Sequence, residues 1–247
     1  MAAALVAFFP GLALGSFLNV VAARVPLQRS VVRPASACMA CEAPIAARDN
    51  IPLYSYLRLR GRCRACGWRI PLCYPAVELA TALLVAGCFV RFGVSADAFV
   101  AAFVCAVLVP ISAIDLERHI IPDRIVKPAA AIVLVAQTAL HLSPEWAIGA
   151  VGAGAFLLVA AVVYPAGMGM GDVKLALLMG AALGRVVPVA LMVGMVAALV
   201  PSAVLFARHG IRARKMGFPL GPFLALGTVV GLFAGHPLLD AYLKQLH

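Results

Sequence analysis

The sequence predicts an all-α polytopic membrane protein with about eight transmembrane helices and a small zinc-knuckle insertion between the first and second. Hydrophobic residues make up 64% of the 247 residues. Charged residues make up 12%, about half the usual share in soluble proteins. Apolar runs of about 20 residues, the length that crosses a bilayer, recur along the chain. Together these observations exclude an ordinary soluble domain.

The first apolar run, at 2–22, is interpreted as a transmembrane helix rather than a secretory signal peptide. No basic residue precedes this run, and Arg24 follows it. A signal peptide has the opposite order, with its basic residues ahead of the apolar segment. The charge order therefore predicts a helix whose N-terminus lies outside the cytoplasm.

Seven further apolar segments complete the set of predicted spans. They are placed at 75–93, 96–114, 126–142, 146–165, 173–187, 188–207 and 218–236. The sixth is short, and Arg185 and Pro188 predict a tight turn between the sixth and the seventh. The segment Leu238 to His247 is interpreted as a short interfacial helix or a tail.

The basic residues predict which loops face the cytoplasm. Nine of the 20 Lys and Arg residues fall between Arg24 and Arg69, and four more fall between Arg208 and Lys215. Cytoplasmic loops are rich in Lys and Arg, so the loops 23–74, 115–125, 166–172 and 208–217 are predicted to be cytoplasmic. Basic blocks beside spans also suit anionic lipid headgroups, and this position argues against nucleic-acid binding.

Four of the seven cysteines form two pairs in the polar segment that follows the first span. The pairs are Cys38-x2-Cys41 and Cys63-x2-Cys66, with 21 residues between them. Four thiolates complete the tetrahedral coordination of Zn²⁺, and a cytoplasmic loop does not favour disulfides. We therefore expect a structural zinc ion. Unmetallated thiols and a redox pair are the alternatives.

These assignments divide the chain into three predicted parts. The first transmembrane helix occupies 1–22, a cytoplasmic zinc-knuckle domain follows at 23–74, and a transmembrane core fills 75–247.

Two aspartates at the ends of predicted spans are the candidate catalytic residues. Asp115 ends the third span, and Asp172 begins the sixth, so both are expected at the cytoplasmic membrane edge. Carboxylates at a membrane boundary are costly to keep there unless they have a function or a partner. Two close carboxylates share one proton, which leaves one as a base for water and the other as an acid. The pair therefore predicts an intramembrane aspartic hydrolase.

Structural roles are the alternatives for the same residues. Asp115 can form a local ion pair with Arg118 or His119, and Asp172 can cap a helix N-terminus. Gly169 and Gly171 are predicted to let the backbone turn before Asp172 and to let a substrate strand approach closely.

Three further polar residues near predicted span ends are weaker candidates. Asn19 can cap a neighbouring helix or bind a substrate backbone. Glu78, four residues into the second span, can bind a cation, pair with an arginine or stabilise a helix N-terminus. Lys174 can contact the site or extend to lipid headgroups.

Taken together, these motifs resemble the type IV prepilin peptidase family. The residues that carry the resemblance extend along most of the chain. They are GSFLNV at 15–20, RPASACMAC at 33–41, CRAC at 63–66, YPAVEL at 74–79, IDLERHIIPD at 114–123, GMGDVKL at 169–175 and FPLGPFLA at 218–225. The first cysteine pair departs from the family pattern, which often has proline after the first cysteine.

The resemblance implies a bacterial inner-membrane aspartic peptidase in which Asp115 pairs with Asp172. Its implied substrates are prepilins and the pilin-like subunits of type II secretion, cleaved on the cytoplasmic side after a glycine. Members with the zinc-knuckle domain also methylate the new N-terminal residue with S-adenosylmethionine. The sequence offers no nucleotide motif that locates the methyl donor.

Three other functions remain open at this point. Buried carboxylates also form proton relays in transporters, although a relay needs polar groups through the membrane depth. A membrane scaffold could use the zinc domain to bind a partner, and a peptidase could lack the methylation step. The oligomeric state, the natural substrates and the identity of the general base are not determined by the sequence.

Overall fold

A computed structural model of the chain describes residues 2–164, 168–210 and 218–244. Within these ranges the chain forms helices and two isolated β-bridges, and no strand of a sheet. Nine α-helices occur in the described residues: α1 Ala2–Arg24, α2 Tyr54–Arg58, α3 Cys73–Phe92, α4 Ala96–Arg118, α5 Asp123–His141, α6 Glu145–Val163, α7 Met170–Leu183, α8 Val187–His209 and α9 Gly221–Lys244. Short 3₁₀ helices occupy Val25–Leu27, Ala47–Asp49 and Gly184–Val186.

The eight predicted spans correspond to the eight long helices. Most boundaries agree within three residues, and α4 and α9 extend further at their C-terminal ends. The predicted turn between the sixth and seventh spans is confirmed, because α7 ends at Leu183 and Gly184 takes a φ of 53°. Residues 211–217 of the predicted loop 208–217, part of the loop 166–172 and the last residues of the predicted tail lie outside the described residues.

Six stretches among the described helices are long and apolar enough to cross a membrane. One of them, Met170–Arg208, joins α7 and α8 into a single stretch, and α5 is not among the six. Helix α5 begins with Asp123 and Arg124 and contains Gln137, whose buried side chain donates to the carbonyl of Ala182 at 3.4 Å. By length and composition, the chain is a multi-pass membrane protein.

The chain divides into two compact units, Met1–Ala113 and Ile114–His247. In the first unit, α1 packs along α3. A Cβ atom at Gly11 would lie 2.8 Å from the Cα of Ala82, and one at Gly15 would lie 2.6 Å from the Cα of Glu78. Gly11 and Gly15 therefore serve helix packing, because they let the two backbones approach closely. The four-cysteine loop connects these two helices.

In the second unit, α6 packs on α7, and α8 packs on α9. The backbones of α6 and α7 approach closely where Gly149 and Gly180 face each other. A Cβ atom at Gly180 would also lie 2.5 Å from the Cα of Ala150. Gly227 approaches the backbone of α8 in the same way. Close glycine contacts therefore position α7 and α9. They also position the N-terminal ends of these two helices, which carry the polar motifs.

Replacing Gly180 with alanine is expected to destabilise the second unit by about 1–3 kcal/mol, the usual cost of adding atoms to a filled core. The added methyl group has no space against the backbone of α6. The measurement is thermal unfolding of the purified protein in detergent. Gly152→Ala on α6 is the matched control, because its added Cβ atom meets nothing within 4 Å. Equal unfolding temperatures for the two variants would contradict the packing argument.

Candidate active site

Asp115 lies in the last turn of α4, at 5% exposure. Helix α4 ends because His119 takes a φ of 56°, a left-handed conformation that closes the helix. The Asp115 carboxylate accepts a hydrogen bond from the backbone N–H of Gly221 at 2.8 Å. The first N–H groups of a helix have no intrahelical acceptor, so Asp115 satisfies one at the start of α9. The ion pair with Arg118 considered from the sequence is not what holds this side chain.

Asp172 lies in the first turn of α7 and is partly buried. Its carboxylate accepts a hydrogen bond from the backbone N–H of Gly169 at 3.1 Å. The capping alternative considered from the sequence therefore describes a real contact. Gly169 has a φ of −85°, a backbone conformation open to any residue. A carboxylate in the first turn is also stabilised by the positive end of the helix dipole.

The two aspartate motifs meet within the second unit. A Cβ atom at Gly171 would lie 2.9 Å from the Cβ of Ile121, so glycine lets the start of α7 pack against this isoleucine. Lys174 contacts Asp123 at 2.6 Å, and Lys127 contacts the other oxygen of Asp123 at 2.7 Å. These two lysines lower the pKa of Asp123, mainly through their hydrogen bonds. The Asp123–Lys127 contact is an i,i+4 pair within α5.

Asp115 and Asp172 interact electrostatically in this arrangement. The charge of Asp115 acts on the carboxyl group of Asp172 through a Coulombic interaction. The Asp115 carboxylate accepts from the backbone N–H of Gly221, and the Asp172 carboxylate accepts from that of Gly169. Carboxylates have about four acceptor positions each, so both groups keep capacity for a water molecule or a peptide. Such a pair can act as base and acid in hydrolysis.

The two cysteine pairs of the first unit lie in turns with the same backbone pattern. Cys38 N–H donates to the carbonyl of Ala43 at 2.9 Å, and Cys63 N–H donates to the carbonyl of Trp68 at 2.8 Å. In both turns the residue after the second cysteine donates back to the first cysteine and has a positive φ, at Glu42 and Gly67. Each turn thus presents two sulfur atoms toward one point.

The four sulfur atoms fit a zinc ion. The Sγ atoms of the four cysteines lie within 4.8 Å of one another, and those of Cys38 and Cys66 are 3.9 Å apart. A tetrahedron with Zn–S bonds of about 2.3 Å has sulfur separations of about 3.8 Å. Backbone N–H groups, first that of Ala40, lower the pKa of the Cys38 thiol to about 6, whereas burial and the neighbouring cysteines raise the pKa of the Cys66 thiol to about 11. The cluster is therefore a candidate metal site.

Asn19 and Glu78 both contact backbone groups within the first unit. The Asn19 side chain donates to the carbonyl of Tyr74 at 3.0 Å, which ties α1 to the start of α3. The Glu78 carboxylate accepts from the N–H of Leu53 at 2.9 Å and so holds the loop before α2. Leu53 has a φ of 58°, which a leucine rarely adopts.

A cavity of about 450 Å³ lies between the four-cysteine loop and the start of α3. Its lining includes the cysteines Cys38 and Cys63, the aromatic side chains of Tyr56 and Trp68, and the carboxylate of Glu78. The volume lies in the range of small-molecule sites, about 300–1,000 Å³. Both faces of the cavity come from the Met1–Ala113 unit.

Comparison with known proteins shows the family to which the chain belongs. Residues 9–92 match the model of the bacterial peptidase A24 N-terminal domain, and residues 101–206 match that of the type IV leader peptidase family. The second match contains both aspartates, and the first contains all four paired cysteines. The chain belongs to the type IV leader peptidase family. The family resemblance inferred from the sequence is confirmed.

Two of three curated relatives are similar to this chain over nearly its whole length, and the third over about half of it. A protein of Bacillus subtilis (strain 168), named prepilin leader peptidase/N-methyltransferase, is 32% identical over 96% of this chain and 97% of its own length. One of Pseudomonas putida with the same name is 34% identical over 96% and 92%. One of Myxococcus xanthus (strain DK1622) is 49% identical over 49% of this chain and 36% of its own length. No solved structure matches the chain.

Two contacts of this leader peptidase family member were not anticipated from the sequence. One is the hydrogen bond from Gly221 to Asp115, which spans 106 positions. The other is the ion pair between Lys174 and Asp123. The signal for the first lies in the motif FPLGPFLA, whose glycine is Gly221. Neither pairing follows from spacing, because the partners lie on different helices.

Proposed function

We propose that this protein cleaves the leader peptide from type IV prepilins and from pilin-like subunits of type II secretion. The two aspartates, Asp115 and Asp172, activate the water. The same protein then methylates the new N-terminal residue with S-adenosylmethionine. It acts in the bacterial inner membrane with its active site toward the cytoplasm.

The observation that carries the peptidase proposal is the convergence of the two aspartate motifs at the ends of α4 and α7. Ile121 lies against Gly171, and Lys174 pairs with Asp123, so both motifs are anchored to each other beside the carboxylates. The printed names of the relatives support the same activity. A transporter or a scaffold has no need for this arrangement at one membrane edge.

In the proposed reaction, one aspartate accepts a proton from water while the water oxygen attacks the carbonyl carbon of the peptide bond. The other aspartate donates its proton to the carbonyl oxygen. Collapse of the tetrahedral intermediate breaks the C–N bond, and the departing nitrogen takes up a proton to form the new amino terminus. Burial of Asp115 and the hydrogen bonds from Gly221 and Gly169 orient the two carboxylates.

The membrane orientation explains how the substrate reaches the site. The hydrophobic segment of a prepilin enters among the helices, and its leader stays on the cytoplasmic side, where the basic loops contact anionic lipid headgroups. The scissile bond then lies at the membrane edge that both aspartates share. The zinc-knuckle domain at 23–74 stiffens the loop between α1 and α3.

S-adenosylmethionine supplies an electrophilic methyl group when bound. The unprotonated amino nitrogen attacks that methyl carbon, the C–S bond breaks with its electron pair on sulfur, and the nitrogen releases a proton. The Met1–Ala113 unit supports methylation in one respect, because it contains a cavity of small-molecule size that is lined in part by the Glu78 carboxylate.

The experiment that tests both activities is incubation of purified protein with a prepilin and S-adenosylmethionine, followed by mass spectrometry. We expect loss of the leader, and a further mass of about 14 Da on the mature product, because one methyl group replaces one proton. Cleavage without the added mass would restrict the function to a peptidase. An uncleaved substrate, with folded protein, would contradict the proposed function.

A further inference from the structure

A groove of about 790 Å³ lies between α6 and α8 in the second unit. Its lining is apolar except at one end, where Glu145 at the start of α6 and Arg185 in the turn before α8 contribute opposite charges. From this end the lining extends along α6 to Phe156 and along α8 to Leu199, which is about 16–18 Å at the helical rise per residue. One leaflet of the hydrocarbon core is about 15 Å deep. The α6–α8 groove is therefore as long as one leaflet is deep.

Small and flexible side chains shape the α6–α8 groove. Gly149, Gly152 and Ala153 of α6 line it, and a Cβ atom at Gly152 would meet nothing within 4 Å. On α8 the lining includes the exposed side chains of Met192 and Met195. Methionine side chains adapt to irregular apolar partners. A long apolar channel with one adaptable wall suits a hydrocarbon chain.

The charged end of the groove lies at the membrane edge opposite to Asp172. Helix α7 carries Asp172 in its first turn and ends at Leu183, so Arg185 follows its other end. Trp146 in the first turn of α6 packs on this turn, because a Cβ atom at Gly184 would lie 3.2 Å from its ring. Tryptophan is enriched where a helix crosses the membrane–water interface. The two charges therefore lie near the depth of lipid headgroups, with the apolar part of the groove below them.

The two side chains at this end suit a headgroup that carries both signs of charge. The Nε atom of Arg185 lies 4.0 Å from a carboxylate oxygen of Glu145, which is beyond hydrogen-bond distance, and the two side chains are 69% and 37% exposed. A guanidinium group donates to two phosphate oxygens at once, and a carboxylate accepts from a primary ammonium. A phospholipid with an ethanolamine headgroup carries that phosphate and that ammonium above its acyl chains.

We propose that the α6–α8 groove is a binding site for an ethanolamine phospholipid. One acyl chain lies along the groove, Arg185 binds the phosphate, and Glu145 binds the ammonium group. The proposal does not depend on peptidase activity, because the groove lies away from the end of α7 that carries Asp172. A ligand that binds the folded state stabilises it, so the bound lipid should also raise the unfolding temperature.

The test titrates lipid-stripped full-length protein in detergent with two lipids that have the same 16-carbon chains, phosphatidylethanolamine and phosphatidylglycerol. Native mass spectrometry gives the Kd of each. We expect wild-type protein to bind phosphatidylethanolamine about tenfold more tightly, because phosphatidylglycerol has no ammonium group for Glu145. Glu145→Gln should remove this preference. Arg185→Gln should weaken the binding of both lipids about tenfold, because both carry the phosphate.

A steric variant tests the acyl-chain part of the site. Gly152→Leu places a side chain in the groove without meeting the neighbouring backbone, and it should weaken the binding of both lipids at least about tenfold. Ala155→Leu is the matched control, because Ala155 is an exposed residue of the same helix that does not line the groove. It should bind both lipids as the wild-type protein does. Unfolding temperatures without lipid show that each variant is folded, and the two charge variants keep the test decisive where Gly152→Leu is not.

Three results would overturn the site. Equal Kd values for both lipids in wild-type protein and in every variant would mean that the groove holds only annular lipid. A changed oligomeric state of Gly152→Leu with unchanged lipid binding would assign the groove to a second copy of the chain. A higher KM for prepilin cleavage with unchanged lipid binding would assign it to the substrate helix. Leader cleavage by the wild-type protein is a separate readout, so loss of the lipid site would leave the peptidase proposal intact.

Discussion

Replacing either Asp115 or Asp172 with asparagine is expected to reduce leader cleavage by at least about a hundredfold, the usual contribution of one acid or base group. Asparagine has nearly the same shape as aspartate, and its carbonyl oxygen can still accept from Gly221 or Gly169. The variants should therefore insert and fold normally while losing the group that takes or donates a proton. The measurement is the initial rate of prepilin cleavage by purified protein.

Glu117→Gln is the matched control for these variants. Glu117 lies two residues from Asp115, and its side chain is 71% exposed. Its neutralisation should leave the cleavage rate within about twofold, because exposed surface changes away from special contacts have small effects. Leader cleavage at the wild-type rate by either asparagine variant would contradict the two-aspartate mechanism. We also expect both asparagine variants to methylate a substrate whose leader has already been removed.

Replacing both cysteines of one pair with serine is expected to abolish zinc binding. Tetrahedral zinc needs all four thiolates, and the turns at Cys38–Cys41 and Cys63–Cys66 supply two each. Metal binding contributes about 10–16 kcal/mol to the folding of small structural zinc sites. The cavity that uses Cys38 and Cys63 as lining should therefore lose its shape along with the metal. The measurement is zinc per chain by elemental analysis, expected to fall from one equivalent to less than a tenth.

Cys73→Ser serves as the control for the metal experiment. Cys73 is exposed at the start of α3 and lies outside the four-sulfur cluster. It should retain one zinc per chain. Retention of one equivalent by a double-serine variant would show that the four cysteines are not the ligand set. Methylation should fall together with zinc, because the cavity of small-molecule size in this unit is lined by two of the four cysteines.

The sequence could predict the helices because membrane spans depend on local composition. Runs of apolar residues predicted the positions of the eight long helices, and Arg185 with Pro188 indicated the turn before α8. The paired cysteines were recognisable because metal ligands occur at short spacings. Each of these features can be read from neighbours along the chain. The division into predicted domains, the cytoplasmic orientation and the roles of the site residues stay predictions.

Contacts between distant residues could not be predicted in this way. The sequence indicated a pair of aspartates. Spacing could not indicate that the Gly221 N–H donates to Asp115 or that Lys174 forms an ion pair with Asp123. It listed three roles for Glu78 and could not choose among them, whereas the fold joins its carboxylate to Leu53 and makes it part of a cavity wall.

The sequence by itself therefore determined the membrane class, the order of the helices, the four clustered cysteines and the family. Those properties follow from local hydrophobicity and from short motifs, which depend little on what lies across the molecule. Only the tertiary structure decided which backbone groups hold each aspartate and which side chains share the cavity. Those contacts depend on how helices pack, and close packing occurs where glycines such as Gly180 let two backbones meet.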